Sequence, residues 1–124
     1  MSNCKTPKER AGRSRTTKIA VEDFDSFYNR FHTDSLFQIS RVLFPLEGGS
    51  VDGLEEKKWT KENWQMVKTK VFDIDTTLFR VSYKKTENKF SAKAWIEDSG
   101  FSTEFRFELI NKKWYLVYAS DQNL

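Results

Sequence analysis

The stretch Leu78–Ser120 limits what this chain can fold into more than any other, because it reads as four successive strands whose apolar faces agree through every turn. Phe105, Phe107 and Leu109 alternate with Glu104, Arg106 and Glu108, the period of two expected of a strand with one face in the core and the other in water. Asn111-Lys112 suits a two-residue hairpin loop, since Asn tolerates positive φ, and this loop predicts Leu109 opposite Trp114, Phe107 opposite Leu116 and Phe105 opposite Tyr118. The loop Glu97-Asp98-Ser99-Gly100 sets Ile96 opposite Phe101, Ala94 opposite Thr103, Ala92 opposite Phe105 and Phe90 opposite Phe107, with Lys93 facing Glu104 on the far side. A turn at Glu87-Asn88 then pairs Phe79 with Ile96, Val81 with Ala94 and Tyr83 with Ala92. A slip of one residue would turn a whole apolar set out to water, so the three registers constrain one another.

This register gathers Phe79, Tyr83, Phe90, Phe105, Phe107, Trp114 and Tyr118 on an inner face. The outer face is polar at Arg80, Lys93, Glu104, Arg106 and Glu108 but apolar at Trp95, Ile110, Tyr115 and Val117. That apolar minority calls for a covering layer or a partner, and Trp95, Tyr115 and Val117 are the residues through which a homodimer would form. The alternative is shielding by neighbouring Lys and Arg stems.

Ahead of the meander the period changes. Phe24, Phe27, Tyr28 and Phe31 recur at helical spacing, with Asp23 and Asp25 in the first turn where the helix dipole favours them. A second helix is expected after Thr33 or Asp34 as N-cap, burying Leu36 and Phe37 and ending before Pro45. Val42–Leu46 reads as a short buried strand or extended exit, Glu47–Glu56 with its three glycines as a loop, Thr60 as the start of a short helix between Trp59 and Trp64, and Met66–Asp73 as a further strand. The fold class is α+β, with N-terminal helices packed on the concave face of a curved antiparallel sheet. Residues 21–124 form a single domain, since 15% aromatic against 31% charged residues is the balance of a globular chain with a real core.

Residues 1–20 read as a disordered basic tail. Six basic side chains against Glu9 give the first 18 residues a balance of +5 within a net charge of +3, leaving the rest of the chain at −2. Nucleic-acid binders usually carry basic charge on the folded surface as well, so the tail argues for a solvated linker rather than a nucleic-acid interface. Cys4, the only cysteine, excludes an intrachain disulfide and a cysteine-rich zinc site. A cysteine followed by a polar linker and then a domain is also the arrangement of a lipid-anchored bacterial envelope protein whose apolar signal segment precedes it. The expected location is the cell envelope if Cys4 is lipidated and the cytoplasm otherwise.

Two helices, the Val42–Leu46 exit and a curved meander together resemble the nuclear-transport-factor-2-like fold, a cone whose helices close the concave side of the sheet. Phe24-Asp25-Ser26-Phe27-Tyr28, Asp34-Ser35-Leu36-Phe37-Gln38, Phe44-Pro45-Leu46 and Lys113-Trp114-Tyr115-Leu116 are more particularly similar to a family of Bacteroidetes domains assigned to that fold, over about residues 21–121. The resemblance implies the architecture and supplies no catalytic residue.

Other relatives of this cone include isomerases and dehydratases that place a carboxylate or histidine in the cavity, where desolvation tunes its pKa. The inner-face positions from Phe79 to Tyr118 contain no Asp, Glu or His. An acid–base group would have to come from His32 or Asp34 beside the first helix, from Asp98 in a loop, or from Tyr83. Each has a structural reading as well: His32 as a partly exposed histidine at a helix end, Asp34 as a cap, Asp98 as a turn residue. Ala92 and Ala94 leave space on a bulky face for either a closely packed helix or a small apolar ligand, the latter bordered by Tyr83, Thr103 and Tyr118. A single histidine with scattered carboxylates argues against zinc, and no cofactor motif is present. The chain therefore reads as a non-enzymatic domain that binds a ligand or partner, with a small-molecule isomerase or hydrolase as the alternative.

Overall fold

The structure is a computed structural model that describes residues 20–124; Cys4 and the tail to residue 19 lie outside the described residues. Helix α1 (Phe24–Phe31) opens at Asp23, whose carboxylate accepts the Ser26 N–H at 2.9 Å. Helix α2 (Ser35–Ser40) opens at Asp34, which accepts from the Phe37 N–H at 3.1 Å. Six strands follow: β1 (Val42–Asp52), β2 (Glu55–Trp59), β3 (Arg80–Lys85), β4 (Lys89–Trp95), β5 (Phe101–Ile110) and β6 (Lys113–Asn123). They form one curved open sheet in the order β2-β1-β6-β5-β4-β3, antiparallel throughout except where β1 runs parallel to β6.

Most of the meander register follows the sequence pattern. Val81 faces Ala94, Tyr83 faces Ala92, Ala94 faces Thr103, Ala92 faces Phe105, Phe90 faces Phe107, Leu109 faces Trp114 and Phe107 faces Leu116. Asn111 and Lys112 both take positive φ, 51° and 69°, as the two-residue hairpin requires. One pairing differs. A bulge after Leu116 shifts the register, so that Arg106 faces Tyr118 and Phe105 faces Ala119. Tyr118 therefore leaves the inner face and lies under the Arg106 guanidinium, 4.2 Å from its ring centre. The inner position goes to Ala119, 1% exposed, because β1 crowds this point: a side chain at Gly48 would come within 2.0 Å of the Ala119 carbonyl oxygen, which also accepts the Trp59 indole N–H at 2.8 Å.

The first half of the chain departs further from expectation. Glu47–Glu56 is mostly strand rather than loop, because Gly48 and Gly49, at φ 96° and 156°, let β1 change register and lie against β6. Thr60 and Asn63 close a single turn through reciprocal side-chain bonds of 2.9 and 3.1 Å instead of starting a helix. Met66–Asp73 is irregular until a short 3₁₀ turn at Val71–Asp73. Leu36 is 80% exposed, whereas Gln38 of the same helix is 1% exposed.

Helix α1 seats its aromatic stripe on the sheet: Phe24 lies 4.7 Å from Phe90 and 5.0 Å from Trp114, and Phe31 lies 5.2 Å from Phe107 between ring centres. The chain entering α1 is fixed to β6 through Glu22. Its carboxylate accepts from Arg41 at 2.6 Å and from the Trp114 N–H at 2.9 Å, while its carbonyl accepts the Trp114 indole N–H at 3.1 Å. Burial pushes the Glu22 carboxyl up, but Arg41, the Trp114 N–H and the Lys113 charge together hold it below its ordinary value.

The irregular segment 60–79 completes the cover of the concave face, and Gln38 holds it there. The amide nitrogen donates to the carbonyls of Phe31 at 2.6 Å and Val67 at 2.9 Å; the amide oxygen accepts from the Trp64 indole N–H at 3.0 Å and the Val67 N–H at 2.9 Å. Two donors and two acceptors surround it, so its orientation is fixed.

Replacing Gln38 by Ala leaves these buried groups unpaired, and denaturant melts should show a loss of about 2–4 kcal/mol together with faster amide exchange at Val67. A loss below about 0.5 kcal/mol would mean that segment 60–79 is held by other contacts. Phe107→Ala should cost about 3–5 kcal/mol, as truncation of a fully buried ring in a packed core does, and a cost below about 1 kcal/mol would contradict this packing.

Candidate functional site

Two adjoining spaces lie on the concave side. The deeper is bounded by Ala92 and Ala94 of β4, Thr103 and Phe107 of β5, and Tyr28 and His32 from α1 and its C-cap. Its volume is about 20 Å³, room for one water. Close approach of α1 and segment 60–79 has filled most of the space that the two alanines leave. Tyr28 accepts the Val71 N–H at 3.2 Å, and burial is the main cause that pushes its phenol up to about 12, with Asp73 adding to it and the Val71 bond opposing.

His32 is not the partly exposed helix-end residue its sequence position suggests. It is 6% exposed, edge-on to Tyr28 at 4.5 Å, with Nδ1 donating to the Tyr28 carbonyl at 2.7 Å. The helix ends with its C-cap turned inward, which local periodicity does not reveal. Burial lowers the imidazole pKa and Lys70 adds to the effect, while the Tyr28 carbonyl and Asp73 oppose it. His32 is therefore a neutral imidazole whose proton sits on Nδ1 at neutral pH.

The second space, about 200 Å³, opens at the mouth of the sheet and shares Val67, Thr103 and Phe105 as walls with the first. Trp59 and Trp64 stand nearly perpendicular, 77° apart with ring centres 5.4 Å from each other, and Gln65, Met66, Ser120 and Asp121 complete the lining. Asp121 faces Thr103 across the ladder and owes its inward position to the bulge. Strict alternation from Trp114 would turn Asp121 outward, so sequence reasoning missed it, and only the one-residue bulge reverses the assignment. Partial burial, followed by the charge of Asp52, holds the Asp121 carboxyl above its ordinary value.

The residues expected to line one ligand site divide between two faces. Ala92, Ala94 and Thr103 border the deep cavity. Tyr83 shares their face but is 56% exposed on the edge strand, in edge contact with Phe72 at 4.9 Å. Tyr118 lines a polar groove on the opposite face with Lys58 and Gln122. Asp34 caps α2, and Asp98 takes φ 56° in an exposed turn. On the outer face Lys93 lies over Trp95 at 5.7 Å and Arg41 over Tyr115 at 5.5 Å. Among the described residues, no three His, Cys, Asp or Glu side chains cluster to hold a metal, and no helix is long and apolar enough to cross a membrane.

Comparison with known proteins agrees with this architecture. A cystatin-like protein of Bacteroides caccae, known from a crystal structure, superimposes with a TM-score of 0.61 at 26% identity, over 83% of this chain and 79% of that one. A protein of Bacteroides uniformis, known from an NMR structure, gives 0.59 at 23% identity over 82% and 78%. A nuclear-transport-factor-2-like protein of Bacteroides fragilis gives 0.57 at 18% identity over 90% of this chain, which spans about half, 51%, of that protein. No curated protein matches. A family model whose description gives a likeness and no activity matches residues 22–123. The chain thus belongs to that family, one whose structural neighbours are cystatin-like and nuclear-transport-factor-2-like Bacteroides proteins with no named function.

Proposed function

We propose that this domain is a non-enzymatic binding module of an envelope-associated bacterial protein, and that it takes a small ligand at the mouth of its sheet. The observation that carries this reading is the contrast between the two spaces: the interior holds about 20 Å³ and the mouth about 200 Å³. Ligand sites need the larger scale, with apolar walls and a few polar groups, and the mouth has both. The titratable groups of α1 at the interior are committed elsewhere, Tyr28 to the Val71 N–H and His32 to the Tyr28 carbonyl. Cys4, ahead of a polar linker, supports the envelope location. Lys93 and Arg41 already cover Trp95 and Tyr115, so a dimer through the outer face is left out of the proposal.

The alternative, a small-molecule isomerase or hydrolase, draws on the neutral buried His32 and would require segment 60–79 to swing away from it. Its competitor is a purely structural His32, which has a pH signature. The folded state binds this proton less readily than the unfolded chain, whose histidine titrates near 6.5. The stabilising contribution is therefore complete above that pH and is lost as pH falls through the lowered folded value. The denaturant midpoint should drop as pH falls below about 6.5, and His32→Gln should flatten that slope; equal slopes in the two proteins would remove His32 from the account.

Binding at the mouth is tested with indole N–H resonances of uniformly ¹⁵N-labelled protein, titrated with small aromatic and aliphatic fragments. Trp59 and Trp64 should shift while Trp114 stays in place. Fragments that move only Trp114 or Trp95 would place binding elsewhere and defeat the proposal.

A further inference from the structure

We propose that the mouth pocket is a site for small organic cations, with an ammonium group held in the corner between the Trp59 and Trp64 rings and facing the Asp121 carboxylate. The inference rests on the binding reading above and names its ligand class.

Three observations carry it. First, both indole N–H groups are spent on the protein, Trp59 on the Ala119 carbonyl at 2.8 Å and Trp64 on the Gln38 amide oxygen at 3.0 Å. What the rings offer a guest is therefore π surface, arranged as two nearly perpendicular walls. An indole face is the aromatic surface that attracts a cation best. Second, Asp121 makes no side-chain hydrogen bond and no ion pair among the described residues, and no Lys or Arg lines the pocket with it. Of the basic side chains of β2, Lys58 lines the groove on the other face, while Lys57, which shares the Asp121 face two strands away through Ser50, makes no ion pair with it. Third, Met66, Val67 and Phe105 add apolar wall between the polar residues Gln65, Thr103 and Ser120, and apolar surroundings strengthen a charge interaction relative to water.

The combination selects by charge. An anion would meet Asp121 with Asp52 behind it, and a neutral apolar guest would strip water from a carboxylate without giving it a partner. A cation removes both costs. Partial burial and Asp52 disfavour the charged carboxylate, and a bound ammonium would reverse that.

The test uses two probes of one shape: choline and its neutral isostere 3,3-dimethylbutan-1-ol, titrated into the full chain while the Trp59 and Trp64 indole N–H resonances are followed. Choline should bind about ten-fold or more tightly than the alcohol. Asp121→Asn, whose side chain has no hydrogen bonds to lose, should weaken choline several-fold, leaving only the preference due to the indole faces, and leave the alcohol unchanged. Asp121→Ser serves as a second variant if the first melts at a lower temperature. Equal affinity of the two probes for the wild type, or a choline affinity that neither substitution lowers, overturns the cation site while leaving a binding pocket. If choline moves neither indole the cation site is overturned, and if the fragment titration also leaves both indoles in place the binding reading falls with it.

Discussion

Irregular chain laid across an apolar sheet face must find hydrogen-bond partners without a ladder to provide them, and the Gln38 amide does this for segment 60–79. Its four bonds join α1, the segment backbone and the Trp64 indole in one buried cluster. Because each unpaired buried polar group costs more than a made bond returns, the cluster holds as a unit or not at all. Everything on the concave side follows from where the segment is held. It closes the space over Ala92 and Ala94, it places Val67 between the deep cavity and the mouth, and it sets Trp64 against Trp59.

A second constraint acts from the opposite side of the sheet. Where β1 reaches β6, the backbones come so close that Gly48 has no room for a side chain, and Ala119 beside it is 1% exposed. The bulge after Leu116 admits that small residue by exchanging the two faces beyond it. One backbone irregularity thus sends a tyrosine to the polar groove and a carboxylate to the aromatic mouth. The chemical character of the site comes from the inserted residue as much as from the identities of the residues around it.

The meander was legible because alternation, turn residues and cross-strand partners all agreed, so Phe90, Phe107, Trp114 and Leu116 lie where the pattern puts them. The stripe on α1 was legible for the same reason. The pattern failed where long-range packing overrode local signals. Gly48 and Gly49 look like loop residues but serve close contact between strands, and Gln38 looks like a surface residue but is the most connected side chain of the helical layer. On the concave side, the pattern put Ala92, Ala94 and Thr103 on the face where they wall the deep cavity; it missed Trp59, Trp64 and Asp121 at the mouth, whose meeting depends on a bulge and an irregular segment. Recognition of the fold did not require those details, since the aromatic motifs of α1 and β6 carry it.

The parallel pairing of β1 with β6 brings Val42 beside Leu116 and Asp52 beside Asn123, joining chain positions that leave the ribosome far apart in time. Until β6 emerges, the two helices lack Trp114 and Leu116 to pack on, and β1 and β2 form only an isolated hairpin, which is marginal in water by itself. The amino-terminal half therefore has no stable resting place during synthesis, and native structure must wait for the final strand. Until then the aromatic stripe of α1 has no complete sheet to cover it.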